Sequence, residues 1–164
     1  MTKIRLGIIG GGGDSLIGPV HRIAASMFDC FELIGGVFNP IWEENIRFAK
    51  KLGLDESRIY NDLEDFIRVE TALPANQRMQ VVSVLTPNFL HFPMAKQLLE
   101  EGFHVICEKP LTTSYREALE LKKIREEKQS IFAVTYTYTG YPMIRQLRSM
   151  IQNGDIGEIQ KIDA

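Results

Sequence analysis

The sequence predicts an α/β fold in which a doubly wound, mainly parallel sheet carries helices on both faces. Short apolar runs rich in β-branched residues alternate along the 164 residues with longer segments of helical period. Glycine, proline or a capping box marks most of the boundaries between them. Strands that alternate with helices form parallel sheets, and right-handed crossovers then place helices on both faces.

The first strand is predicted over residues 4–9 (IRLGII), and a glycine cluster follows it. A helix comes next, because five apolar residues recur at helical spacing and are expected to face the core. These are Val20, Ile23, Ala24, Met27 and Phe28. The second strand is predicted over residues 31–38, and Asn39-Pro40 after it is typical of a helix start. That helix carries Trp42, Ile46, Ala49 and Leu52 on one face and ends at Gly53.

Four more strands and four more helices are predicted in the rest of the chain. The strands cover residues 58–60, 80–85, 103–107 and 131–135. The helix after residue 60 is capped by Asp62, and the helix after residue 90 ends at Gly102. The next helix along the chain begins at the capping box that runs from Ser114 to Glu117. The last helix is predicted over 141–152, and residues 156–162 are expected to begin one more strand.

Composition and charge exclude several classes of function. The chain is 45% hydrophobic and 24% charged, as in ordinary globular proteins, and its net charge is −2. Without a basic run or a long apolar segment, we expect neither nucleic-acid binding nor a membrane span. The N-terminus is interpreted as a strand and not as a signal peptide, so a cytoplasmic location is expected. Cys30 and Cys107 lie in apolar runs and are expected to be buried thiols, with no metal site.

The glycine cluster after the first strand predicts a dinucleotide site in a Rossmann-type sheet. Glycines allow the backbone to approach a pyrophosphate, and the next helix offers its N–H groups. The expected contacts are Gly10, Gly12, Gly13, Ser15, Leu16 and Ile17. Gly10 and Gly12 fit the usual G-x-G-x-x-G spacing, but the third glycine is Gly18, which makes the loop three residues longer. The alternative interpretation, that the glycines only form a turn, accounts less well for four of them in a row.

The end of the second strand is expected to determine the choice of cofactor. NAD-binding proteins usually carry an acidic residue there, and NADP-binding proteins an arginine. The chain has Phe38 and Asn39 instead, so the cofactor is NAD or NADP, with a slight preference for NAD. Asn39 either binds a ribose hydroxyl or only caps the following helix.

Polar residues also follow the later strands, where ligands bind in such sheets. Thr86, Pro87 and Asn88 follow the fourth predicted strand, and Glu108, Lys109 and Pro110 follow the fifth. Tyr136, after the sixth strand, is expected to border the cofactor.

Four segments together resemble the Gfo/Idh/MocA family of NAD(P)-dependent oxidoreductases, which act on sugars, inositols and related polyols. They are LGIIGGGG, TPNFLHFPMA, VICEKPLTT and YPMIRQLRSMIQNGDIGEIQKI. The resemblance implies a hydride transfer in which Lys109 is catalytic and contacts both the substrate and the nicotinamide ribose. It implies that Glu108 positions the nicotinamide and that Pro110 belongs to the cofactor site. It also implies that Thr86, Pro87 and Asn88 line the nicotinamide pocket. His91, one turn further on, is interpreted as a cap or packing residue.

The resemblance implies that residues 1–154 form the dinucleotide-binding domain and that residues 155–164 begin a second, substrate-binding domain. We therefore expect little or no turnover from this chain alone, and self-association into a homo-oligomer. Two alternatives are a non-catalytic dinucleotide-binding regulatory module and a degenerate fragment.

Overall fold

The structure is a computed structural model that describes residues 2–162. The chain divides into two compact units, with the boundary between Val134 and Thr135. No helix among the described residues is long and apolar enough to cross a membrane.

The first unit is built on a parallel five-stranded sheet with the strand order β2-β1-β3-β4-β5. The strands are β1 (Ile4–Gly10), β2 (Phe31–Val37), β3 (Val81–Leu85), β4 (His104–Cys107) and β5 (Phe132–Val134). Since β1 lies between β2 and β3, the order of strands reverses there, and the crevice beyond their carboxyl ends is the usual place for a ligand. The predicted α/β fold with a doubly wound parallel sheet is confirmed.

Five helices belong to this unit, and they pack on both faces of the sheet. They are α1 (Ile17–Ser26), α2 (Trp42–Lys51), α3 (Leu63–Ala72), α4 (His91–Glu100) and α5 (Tyr115–Lys128). Successive residues of a strand point to opposite faces, and Ile8 and Ile9 accordingly belong to different clusters of buried side chains. Ile8 packs in the cluster that contains Ala49 of α2, while Ile9 packs in the cluster formed with α3, α4 and α5.

The strand predicted over residues 58–60 is not formed. Residues Glu56–Arg58 make a 3₁₀ turn, and Ile59 forms a single parallel bridge with Gly36. Asp62 then caps α3 by accepting a hydrogen bond from the Asp65 N–H. Too few residues remain between the turn and the helix cap to pair as a strand.

The predicted core face of α1 is wrong. Val20, Ile23, Met27 and Phe28 are all more than half exposed, whereas Gly18 is buried. A Cβ on Gly18 would lie 1.9 Å from the Gly11 carbonyl oxygen, so α1 meets the glycine loop through Gly18. That contact turns the apolar face outward. Cys30, just after this helix, is likewise exposed and not buried as predicted, while Cys107 is buried as expected.

The second unit contains helix α6 (Pro142–Asn153), which follows a 3₁₀ turn at Thr137–Gly140. Pro142 opens the helix, and Gly154 ends it with a φ of +79°. Residues 156–162, which were expected to begin a strand, form none within the described range. Residues 163 and 164 of the segment assigned to a second domain lie outside the described residues, and the boundary at residue 154 stays a prediction.

Candidate functional site

The glycine loop between β1 and α1 is packed too closely at Gly10, Gly11 and Gly12 to admit a Cβ, whereas Gly13 has open space. A Cβ on Gly12 would lie 2.5 Å from the Phe38 carbonyl oxygen, to which the Gly12 N–H donates a hydrogen bond of 3.2 Å. Ser15 Oγ accepts a 3.1 Å hydrogen bond from the Gly18 N–H at the start of α1. Gly18 therefore provides the close helix–loop contact that the third glycine provides in the shorter motif. Asp14, in the same loop, is exposed, so its carboxylate is in contact with solvent.

A cavity of about 680 Å³ opens where β2, β1 and β3 end. It falls in the size range of small-molecule and cofactor pockets. Its lining residues are Ile9, Gly10, Gly11, Gly12, Ser15, Val37, Phe38, Asn39, Pro40, Trp42, Asn61, Asp62, Leu63, Leu85, Thr86, Pro87, Leu90 and Met94.

The cavity brings together predicted site residues from three strand ends. Those that line it are Gly10, Gly12, Ser15, Phe38, Asn39, Thr86 and Pro87. The predicted residues outside its lining are Gly13, Leu16, Ile17, Asn88, Glu108, Lys109 and Pro110. Tyr136 belongs to the second unit.

Sequence reasoning missed several residues of the cavity wall, notably Trp42, Asn61 and Asp62. Trp42 was grouped with three other apolar residues on one face of its helix, yet it is 40% exposed and lines the cavity. Asn61 and Asp62 directly follow the predicted strand at residues 58–60. Their position at the end of a predicted strand was the available signal, because ligands bind beyond the carboxyl ends of strands in such sheets.

The hydroxyl oxygen of Thr86 is in an unusual state for a buried polar atom. Its Oγ1 is buried and has no hydrogen-bond partner among the described residues. Buried hydroxyls are nearly always paired, since an unpaired one costs free energy. Because Thr86 lines the cavity, a ligand there is the natural partner for this hydroxyl.

Asn39 has one side-chain group committed to the fold. Its Oδ1 accepts a 2.9 Å hydrogen bond from the Ile41 N–H, which is the turn that leads into α2. The Asn39 side-chain amide is then the group that can donate to a ligand. The two interpretations of Asn39, as a cap and as a ligand contact, are therefore compatible.

A buried asparagine joins the two segments that form one end of the cavity. Asn45 is fully buried, its Oδ1 accepts from the Phe38 N–H at 2.8 Å, and its Nδ2 donates to the Tyr60 carbonyl at 2.7 Å. The Tyr60 hydroxyl donates in turn to the buried Glu70 carboxylate at 2.5 Å. Burial and the neighbouring Glu70 raise the pKa of Tyr60 well above its ordinary value of 10.0. Arg58 also donates to Glu70, so the network fixes the chain just before Asn61 and Asp62.

The turn after β4 is tied to the helix that follows the glycine loop. His21 Nε2 of α1 lies 3.0 Å from Glu108 Oε1, and the Lys109 N–H donates to Glu108 Oε2 at 3.1 Å. The Lys109–Pro110 peptide is cis, and Lys109 itself is exposed. Burial and the adjacent Glu108 raise the pKa of the Cys107 thiol to about 12, so this cysteine is not a reactive thiolate.

Gly10, Gly11, Gly12 and Ser15 place the backbone of the glycine loop in the cavity wall between the ends of β2 and β3, where backbone N–H groups suit an anionic part of a ligand. No group of three or more potential metal ligands is found within residues 2–162.

Comparisons with known proteins agree with this geometry. A family model described as an oxidoreductase family with an NAD-binding Rossmann fold (Gfo/Idh/MocA) matches residues 4–136. Among curated proteins, an uncharacterized oxidoreductase YfiI of Bacillus subtilis is 38% identical over 98% of this chain and 40% of its own length. A glucose-6-phosphate 3-dehydrogenase of the same organism is 30% identical over 96% of this chain and 41% of its own.

Solved structures give the same result. An inositol dehydrogenase homolog from Azotobacter vinelandii, crystallised with NADH and myo-inositol, superposes with a TM-score of 0.92 at 39% identity. The match covers 96% of this chain and 41% of that protein. The chain thus spans about two fifths of the length of these relatives.

Proposed function

The chain belongs to the Gfo/Idh/MocA oxidoreductase family, and from that premise we propose that its cavity binds NAD for hydride transfer to or from a sugar, inositol or related polyol. The single observation that carries the proposal is the position of the cavity. It extends across the ends of β2, β1 and β3, with the glycine loop at its middle.

The strand order gives the proposed orientation of the dinucleotide. The pyrophosphate lies over Gly10 to Gly12 and the N-terminus of α1. The adenosine extends toward the end of β2, where the half-exposed Trp42 provides an aromatic surface and Asn39 an amide donor. The nicotinamide extends toward the end of β3, where the unpartnered Thr86 hydroxyl supplies a polar contact.

The charge of the cavity wall supports NAD over NADP. No lysine, arginine or histidine occurs among the described residues that line it, so a 2′-phosphate would have no cation to pair with. Asp62 is the one carboxylate in the lining. It comes from the chain after residue 60 and not from the end of β2, where NAD-binding proteins usually carry their acidic residue.

Lys109 is proposed as the catalytic residue, in accord with the family resemblance. NAD, when bound, supplies the acceptor for a hydride from the substrate carbon. The neutral Lys109 amine is proposed to hydrogen-bond the substrate hydroxyl and would accept its proton as the hydride leaves the carbon; in the reverse reduction the resulting ammonium would return that proton to the substrate oxygen. The contact between the Lys109 N–H and Glu108, and the contact between Glu108 and His21, fix the backbone from which this side chain extends.

The proposed substrate class rests on relatives that are described as acting on sugars or as binding myo-inositol, among them the glucose-6-phosphate 3-dehydrogenase and the inositol dehydrogenase homolog.

An equilibrium titration with NADH and NADPH, followed by nucleotide fluorescence, tests the proposal. We expect saturable binding of NADH and weaker binding of NADPH. Absence of binding by a folded sample would contradict the proposed site, and tighter binding of NADPH would contradict the argument from charge. Lys109→Ala should abolish turnover wherever turnover is measurable, whereas a purely regulatory dinucleotide-binding module would have no turnover to lose and should keep its dinucleotide affinity.

A further inference from the structure

His91, the first residue of α4, contacts two backbone carbonyl oxygens through its two ring nitrogens. Nδ1 lies 2.8 Å from the Pro110 carbonyl oxygen, and Nε2 lies 2.9 Å from the Thr86 carbonyl oxygen. The residue is only 1% exposed, so water does not compete for these positions. The two carbonyls belong to the turns that follow β4 and β3 respectively.

The chemistry of these contacts restricts the state of the ring. A carbonyl oxygen only accepts hydrogen bonds, and a neutral imidazole has one N–H and one bare lone pair. In the neutral form, one lone pair would face a carbonyl oxygen at 2.8 or 2.9 Å, which is repulsive. Both distances are satisfied when both ring nitrogens carry a proton, and each hydrogen bond is then charge-assisted.

The contacts of His91 extend the link between β3 and β4 beyond the end of the sheet. The last described backbone bond between these segments runs from the Glu108 N–H to the Val84 carbonyl at 3.0 Å. Beyond it, the chain continues through Thr86 and Pro87 after β3 and through Lys109 and Pro110 after β4. His91 joins these two turns beyond the last backbone bond, through the Thr86 carbonyl on one side and the Pro110 carbonyl on the other.

We propose that His91 is a positioning residue that is held as the doubly protonated imidazolium and fastens the turn after β3 to the turn after β4. It thereby sets the separation between Thr86, in the cavity wall, and Lys109. The consequence for the ligand rests on the proposed function, but the protonation and the fastening do not.

Nitrogen-15 NMR of the intact chain with labelled histidine tests the state of the ring directly at neutral pH. We expect both ring nitrogens of His91 to show a directly bonded proton that exchanges slowly with water. A spectrum with one protonated nitrogen and one lone pair would overturn the proposal. His91→Phe assigns the signals, because those of His91 disappear while those of the partly exposed His21 and His104 remain.

Amide hydrogen exchange tests the fastening with a readout that general destabilisation does not reproduce. His91→Phe retains the ring but removes both donors, and His91→Gln restores a donor. In the Phe variant we expect exchange at the Leu90 and Lys109 amides, which donate to the Pro87 carbonyl and the Glu108 carboxylate, to become about tenfold faster while the amides of β1 are unaffected. Partial recovery is expected in the Gln variant. A uniform increase across the sheet, or no change at the two turns, would overturn the proposal.

The same variants connect the positioning role to the ligand. NADH affinity should fall in His91→Phe while the affinity for AMP, which tests only the adenosine end, stays unchanged. Equal loss of both would overturn the positioning role. If the wild-type chain binds no NADH, the proposed function fails, and the NMR and exchange results alone then support or overturn the role of His91.

Discussion

Replacing Thr86 with valine should change stability and ligand affinity in opposite directions. Valine has nearly the shape of threonine, but a methyl group takes the place of the hydroxyl. The Thr86 hydroxyl is buried with no described partner, so removing it relieves a cost in the protein without ligand. If the dinucleotide is the partner of that hydroxyl, the same change removes a hydrogen bond from the complex.

The magnitudes follow from the state of this one oxygen atom. An unsatisfied buried polar group costs about 1–3 kcal/mol, so the free energy of unfolding of the ligand-free variant should rise by about 1 kcal/mol or more. For a chain of this length, each kcal/mol corresponds to about 2–4 °C in melting temperature. A neutral hydrogen bond contributes about 0.5–1.5 kcal/mol, so NADH should bind about threefold to tenfold more weakly.

Calorimetric melting without ligand and fluorescence titration with NADH measure the two quantities. Thr86→Ser is the matched control, because it keeps the hydroxyl and loses the methyl group. It should bind NADH nearly as the wild type does and be slightly less stable. A valine variant that melts at a lower temperature without ligand, or that binds NADH as tightly as wild type, would refute the reasoning.

Four other outcomes are expected. Gly12→Ala should abolish NADH binding in the same titration, because its Cβ would lie 2.5 Å from a backbone carbonyl oxygen, and unchanged affinity would contradict the role of the loop. Asp62→Asn keeps a side-chain acceptor for the helix cap but removes the charge, so the NADPH affinity should rise relative to that of NADH, and a constant ratio would contradict this. Glu70→Gln should lower the free energy of unfolding in urea by about 3–5 kcal/mol, because it leaves the Arg58 charge without its partner, and a loss below about 1 kcal/mol would contradict this. The pKa of Cys107 is raised from 9.0 to about 12 in the folded protein, so above pH 9 the unfolded chain releases this proton first, and the free energy of unfolding should fall by up to about 1.4 kcal/mol per pH unit until about pH 12. Cys107→Ala should show a shallower fall in denaturation curves between pH 8 and pH 10, and an equally steep fall would contradict the assignment to this thiol.

Elements with strong local determinants were predictable from the sequence. The Ser114 capping box is present, with the Glu117 N–H donating to Ser114 Oγ and the Ser114 N–H donating to the Glu117 carboxylate. The β-branched run at residues 80–85 likewise contains strand β3. These features depend on residues a few positions apart, which the sequence places side by side.

Features that depend on distant contacts were not predictable in the same way. Helical spacing in α1 correctly grouped Val20, Ile23 and Met27 on one face, but it could not tell whether that face is covered. The contact of Gly18 with Gly11 determines the orientation, and it exists only in the folded chain.

Buried polar residues present a related difficulty. Asn45 and Glu70 lie at fully buried positions of helices α2 and α3. A polar residue on a helix is usually interpreted as solvent-exposed, because burial is favourable only when its partners are present. Those partners, Phe38 and Tyr60 for Asn45, come from separate segments of the chain.

For the candidate site, the position of a residue directly after a predicted strand identified cavity residues only where the structure contains that strand. It identified Thr86 and Phe38, which line the cavity. It did not identify Trp42 or Asp62, since the first lies within a helix and the second follows a run that is not a strand.

The interior position of β1, between β2 and β3, also affects how the chain is made. β1 pairs with β2 on one side and with β3 on the other, and the Arg5 N–H donates to the side chain of Gln80, 75 residues later. At 5–20 residues per second, a ribosome needs about 4–15 s to synthesise that interval. Throughout this time the nascent β1 has an open, apolar edge, which is the kind of surface that aggregates or recruits chaperones. Slower initiation or additional chaperone during expression should therefore increase the soluble yield of this protein more than stabilising its finished fold would.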